Sequence, residues 1–72
     1  MKITKQDGAV VNGHNIEMCN CKIFCTPDNA SLTNQHVLCG KYADMKRTIE
    51  VFSEMTAVGW NCKNPEYVMP QR

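Results

Sequence analysis

The chain has 72 residues, with eight Lys and Arg against seven Asp and Glu and a formal net charge of +1. It is 43% hydrophobic and 21% charged, which excludes wholesale disorder and points to one folded domain over residues 1–72. The balanced charge argues against a dedicated nucleic-acid binder, and no apolar run reaches the roughly 20 residues of a membrane helix. A domain this small buries only about 60% of the surface its unfolded chain exposes, so it needs disulfides, a metal or self-association to supplement its core.

Met1 to Gln6 alternates weakly around Ile3, and Asp7-Gly8 is a hairpin turn signal. No apolar segment of signal-peptide type lies in Met1 to Gly8, which predicts a cytoplasmic protein, the host cytoplasm if phage-encoded. Ala9 to Val11 reads as a short strand and Asn12-Gly13 as a second turn. A long strand is expected from Asn15 to Cys25, with a bulge near Met18 where the apolar phase changes. Its positions Cys19, Cys21, Ile23 and Cys25 share one face, expected to be core or interface.

Five cysteines, an odd number, fit free thiols in a reducing compartment. The C-x-C-x3-C spacing of Cys19, Cys21 and Cys25 separates strand sulfurs by roughly 7 Å of backbone, a poor chelating pair, so no metal and no cofactor is expected. Cys62 is expected to be exposed or at a rim. Thr26 to Asn34 reads as a polar loop, and His36 to Tyr42 as a strand in which Gly40 marks a bend or a close contact.

Asp44 is an N-cap for a helix over about Met45 to Val58, with Gly59 ending it. At 100° per residue, Met45, Ile49, Phe52 and Thr56 form one apolar stripe and Val51, Met55 and Val58 an adjoining one. Glu50 and Glu54 are expected on the solvated side. The arc is wider than one small sheet covers. If the first stripe packs on the sheet, Val51, Met55 and Val58 are left for a homo-oligomer interface. Pro65 introduces a last extended segment, Glu66 to Met69. The expected architecture is α+β: a small antiparallel sheet of four or five strands, one helix across one face, and a C-terminal extended segment.

The order Gly40-Lys41-Tyr42, Asp44, Val51-Phe52-Ser53-Glu54-Met55 and Tyr67-Val68-Met69-Pro70, with Gln6-Asp7-Gly8 at the start, resembles short hypothetical proteins carried by phages and prophages of Gram-positive bacteria. Their pattern runs strand, G-x-Y, capped helix with V-x-x-E, variable loop and Y-x-M-P. The resemblance implies a non-catalytic accessory protein that binds a host protein, as an inhibitor or counter-defence factor. Its alternative is an oligomeric sponge holding a nucleotide-type immune signal between subunits. The ligand candidates for the second are Arg47 as a planar anion clamp, Trp60 and Tyr67 as stacking surfaces, and Lys46 and His36 as polar donors. No Cys–His pair or carboxylate dyad forms a recognisable catalytic motif, so no enzyme is expected.

Overall fold

A computed structural model describes residues 1–29, 35–61 and 63–72. The chain order is β1 (Lys2–Thr4), β2 (Val10–Cys19), β3 (Lys22–Pro27), β4 (Val37–Lys41), α1 (Met45–Asn61) and β5 (Glu66–Val68). The strands form one sheet in the order β4-β3-β2-β1-β5, with α1 across one face, so the fold is α+β. The sheet is mixed. β1 to β4 pair antiparallel, but β5 runs parallel to β1, because the chain crosses over through α1 before returning at the far edge.

Local chemistry accounts for the first turn. The Asp7 carboxylate accepts the Ala9 N–H at 2.9 Å, and Gly8 adopts a φ of 90°. Asn12-Gly13 is not a turn but the middle of β2. A Cβ on Gly13 would stand 2.7 Å from the Cys25 Sγ, so this glycine serves close packing between strands.

The expected long strand is a hairpin instead. Cys19 pairs with Lys22 across the two-residue loop Asn20-Cys21, and Asn20 takes the left-handed φ of 55° that the loop needs. The bulge lies earlier than expected, between His14 and Glu17, with Asn15 at φ 52°. Cys19 is therefore exposed and Cys21 sits in the turn, while Cys25 and Cys39 are buried free thiols. The Thr26–Asn34 loop is only partly seen: Thr26 and Pro27 belong to β3, and 30–34 lie outside the described residues, as does Cys62.

β4 carries its own irregularity. Ile23 pairs with Gly40 and Phe24 with Leu38, which leaves Cys39 as an extra residue. Gly40 is a close contact as expected: a Cβ there would reach the Met69 Cε at 2.9 Å and the Tyr42 hydroxyl at 3.1 Å. The Cys39 carbonyl accepts the Gln6 N–H at 3.0 Å. The Gln6 side chain then continues the ladder along β4. Its Oε1 accepts the Lys41 N–H at 2.7 Å, and its Nε2 donates to the Lys41 carbonyl at 3.2 Å and the Pro70 carbonyl at 2.9 Å. The strip of chain after β1 thus closes onto the opposite edge strand, so the sheet is strongly curved and this part of the β4 edge is occupied.

The helix turns the other half of its arc inward. Asp44 caps it, accepting the Arg47 N–H at 2.8 Å. Thr48, Val51 and Met55 are fully buried, with Val58 packed beside them. Val51, Met55 and Val58 are therefore core and not an interface. Met45 and Ile49 remain 42% and 48% exposed, and Phe52 is half-buried. Thr48 enters the core because its hydroxyl donates to the Asp44 carbonyl at 2.7 Å, which removes the cost of burying it. The helix also runs past Gly59 to Asn61. Gly59 keeps a negative φ, and its missing side chain makes room for Met1, whose Cε would lie 3.1 Å from an added Cβ.

Ile3, Ile23, Cys25, Cys39, Tyr42, Tyr67 and Met69 complete the core. Two predictions follow from this arrangement. Met55→Ala should lower stability by about 2–5 kcal/mol, whereas Ile49→Ala should cost less than about 1 kcal/mol. Urea titration reads both, and equal costs would reverse the assigned helix orientation. Gln6→Glu keeps the size of the side chain but loses its donor and sets a charge against carbonyl oxygens. It should destabilise by about 1–3 kcal/mol, and an unchanged urea midpoint would remove Gln6 from its closing role.

Candidate functional site

The apolar flank of α1 is the feature that the fold leaves unexplained. Met45, Ile49, Phe52 and Thr56 recur at alternating spacings of four and three, so they lie along one line of the helix. Trp60 stands at the end of this line, in the last turn of α1 and not beyond it, and is 85% exposed. Beside the C-terminal half of the line runs a groove of about 390 Å³, lined by Met1, Ile16, Phe52, Thr56, Gly59 and Trp60. Thr56 and Gly59 contribute small residues to this wall, and Met1 lies close over Gly59.

The five candidate ligand residues do not converge within the subunit. Tyr67 is buried, and its hydroxyl donates to the Glu54 carboxylate at 2.6 Å, so its ring is no open stacking platform. Glu54 is accordingly a hydrogen-bond acceptor in the fold and not simply a solvated side chain. Arg47 is half-buried; its Nε donates to the Arg72 carbonyl at 2.9 Å, and its guanidinium lies 6.0 Å from the Tyr42 ring centroid. Lys46 is exposed on the outer side of the helix. His36 is exposed at the entry to β4, with Nδ1 3.9 Å from Glu17. Trp60 stands apart on the opposite flank of α1 from Arg47 and Glu54, as the 100° step requires.

A second histidine, His14, lies 2.6 Å from the Asp28 carboxylate. Both are exposed, and the adjacent register pairs His14 with Thr26, whereas Cys25 is buried on the inner face. The buried thiol and this histidine therefore face opposite ways. Among the described residues, no group of three or more His, Cys, Asp or Glu side chains is arranged to hold a metal ion, and no helix is long and apolar enough to cross a membrane.

Three buried protons mark the core beneath the helix. Burial, reinforced by the neighbouring Cys25, pushes the Cys39 thiol from its ordinary 9.0 up to about 12. Burial raises the Tyr42 phenol despite the nearby Arg47, and burial together with Glu54 raises that of Tyr67. Sequence reasoning finds Trp60 but not the rest of its surroundings: Met1, just before β1, and Ile16, in β2, are distant in sequence, and the outward stripe is the one expected to pack on the sheet. Trp60 itself was the available signal, since it falls on the same helix line as Met45 and Ile49.

Comparison with family models, with curated proteins and with solved structures finds no match to the chain.

The raised acidities set a pH dependence. In the unfolded chain the thiol and phenols release protons near their ordinary values of 9.0 and 10.0, and in the fold they hold them to higher pH. Protons are then lost preferentially from the unfolded state, so this stabilising contribution is complete below about pH 9 and disappears as pH rises toward about 12. Thermal melts should show a midpoint falling above about pH 9, more steeply than in Cys39→Ala. Equal midpoints for the native chain at neutral pH and at about pH 11 would contradict the assignment.

Proposed function

We propose that the chain is a non-catalytic accessory protein of a phage or prophage that acts in the host cytoplasm by binding a host protein, and that it binds through the apolar flank of α1. One feature carries the reading: an 85% exposed tryptophan at the end of an apolar helix line, beside a groove it helps to line. Its own subunit covers little of Trp60, so most of its hydrophobic surface does not contribute to folding. Large exposed aromatic side chains beside apolar pockets are the usual anchors of protein interfaces. The flank also lacks the convergent cations that capture of a phosphorylated nucleotide requires, which favours a protein target over a nucleotide. The viral origin rests on the resemblance of the Gln6, Gly40 and Tyr67 motif segments.

The test replaces Trp60 with a photo-crosslinking residue and, as a control, places the same residue at Lys22 in the turn-side end of β3. Irradiation in Gram-positive host cells should give one adduct at position 60 whose mass differs from twice that of the chain. The Lys22 variant should not give it. In a matching pull-down, Trp60→Ala should lower capture of that protein by at least about 30-fold, the loss of roughly 2 kcal/mol expected of an interface anchor. Adducts of the same mass at both positions, or of the chain with itself alone, would defeat the reading.

A further inference from the structure

We infer that Cys25 and Cys39 are a site of oxidative modification, at which a peroxide closes a disulfide between β3 and β4 and locks the sheet from within the core. Neither thiol lines the groove beside Trp60.

The register of β3 and β4 brings the two thiols together. Cys25 pairs with Val37, Phe24 with Leu38 and Ile23 with Gly40. In a regular strand Cys39 would stand opposite Ile23, two rungs from Cys25. The bulge instead sets it between the rungs of Phe24 and Ile23, nearer to Cys25 and still facing inward. Both thiols are free and buried, and they lie within hydrogen-bonding reach of each other. Adjacent strands run about 4.8 Å apart, and a disulfide spans Cα separations of about 4.4–6.8 Å, so a small shift of the two strands closes the bond. Cys19 is exposed and Cys21 sits in the turn after β2, both outside this contact.

Hydrogen peroxide supplies the oxidising equivalents. One thiol takes an oxygen atom from the peroxide and becomes a sulfenic acid, and the rest of the peroxide leaves as water. The second sulfur then attacks the sulfenic sulfur. The S–S bond forms, the S–O bond breaks, and the hydroxide leaves as a second water with the proton of the attacking thiol. The two sulfurs together lose two electrons and two protons, and a thiol already in contact is the ready partner for this condensation. Burial slows the first step, because the thiolate is the reactive form and Cys39 holds its proton up to about pH 12.

The bond answers a need of the fold. A domain this small requires a supplement to its core, and among the described residues no three-ligand metal group supplies one. A link between Cys25 and Cys39 closes residues 25–39 into a loop and removes conformations from the unfolded chain. In a reducing compartment the pair stays as two thiols. Once peroxide closes it, the burial that slowed closure shelters the bond from reductants.

One peptide reports the pair. No Lys or Arg lies between Lys22 and Lys41, so trypsin releases Ile23–Lys41 with both cysteines in it. The folded full chain is treated with hydrogen peroxide, denatured in iodoacetamide and digested. Ile23–Lys41 should carry no alkyl group and be lighter by two hydrogens than the reduced peptide. In urea titration the oxidised chain should show an unfolding constant lowered by about 100-fold, the effect of closing a loop of this length. Dithiothreitol added in urea should reverse that gain, whereas methionine oxidation survives the reagent. Cys39→Ala treated in the same way should show no gain. Two alkyl groups on Ile23–Lys41 after peroxide, or linkage of Cys25 or Cys39 to another cysteine, would overturn the site. Equal yield of the bond in the urea-unfolded chain would show that loop length and not the fold selects the pair. A bond that leaves the unfolding constant unchanged would overturn the lock.

Discussion

The side-chain amide of Gln6 is the contact on which the shape of this domain depends. A primary amide is the one side-chain group that carries the donor and acceptor of a peptide unit. Gln6 uses both against Lys41 while its own N–H reaches the bulged Cys39, so a single residue extends the β4 ladder by backbone and side chain together. Its second donor reaches Pro70, whose carbonyl also accepts the Tyr42 hydroxyl at 2.9 Å. The start of the chain, the fourth strand and the C-terminal tail are thereby tied at one point. The helix can pack into the curved inner face because this tie holds the curvature. The tail it fixes runs beside Arg47, which is why its Nε donates to the Arg72 carbonyl.

The same point explains what the family resemblance speaks to. Gln6, Gly40, Lys41, Tyr42, Met69 and Pro70 come from three separated motif segments, yet they meet in space around this tie. Gly40 is small because Met69 and Tyr42 press on it. Such motifs preserve a closure of the sheet. They carry information about architecture, and of the exposed apolar line of α1 they include only Phe52.

What was legible in the sequence was local. The Asp7-Gly8 turn, the Asp44 cap, the β4 strand and the C-terminal extended segment each rest on chemistry within a few residues. The misreadings were questions of distance. Asn12-Gly13 has the chemistry of a turn, but its glycine answers to Cys25, twelve residues away in sequence. The Asn20-Cys21 hairpin has no glycine to announce it and relies on asparagine tolerating a left-handed φ. The close contact at Gly59 is made by Met1, from the other end of the chain. No periodicity within the helix records which half of its broad apolar arc the sheet will take. Thr48 decides it only after the fold shows that its hydroxyl is satisfied by the Asp44 carbonyl.

That last choice leads back to function. With Thr48, Val51 and Met55 inward, the core is filled and closed by Tyr67 and Met69, so Met45, Ile49 and Trp60 contribute little to holding one chain together. A helix that only had to cover the sheet gains nothing from apolar residues there, and it incurs a solubility cost in keeping them exposed. Polar residues at these positions would leave the fold intact. A tryptophan kept 85% exposed beside a groove, where the fold gains little from it, is the observation on which the proposed binding role rests.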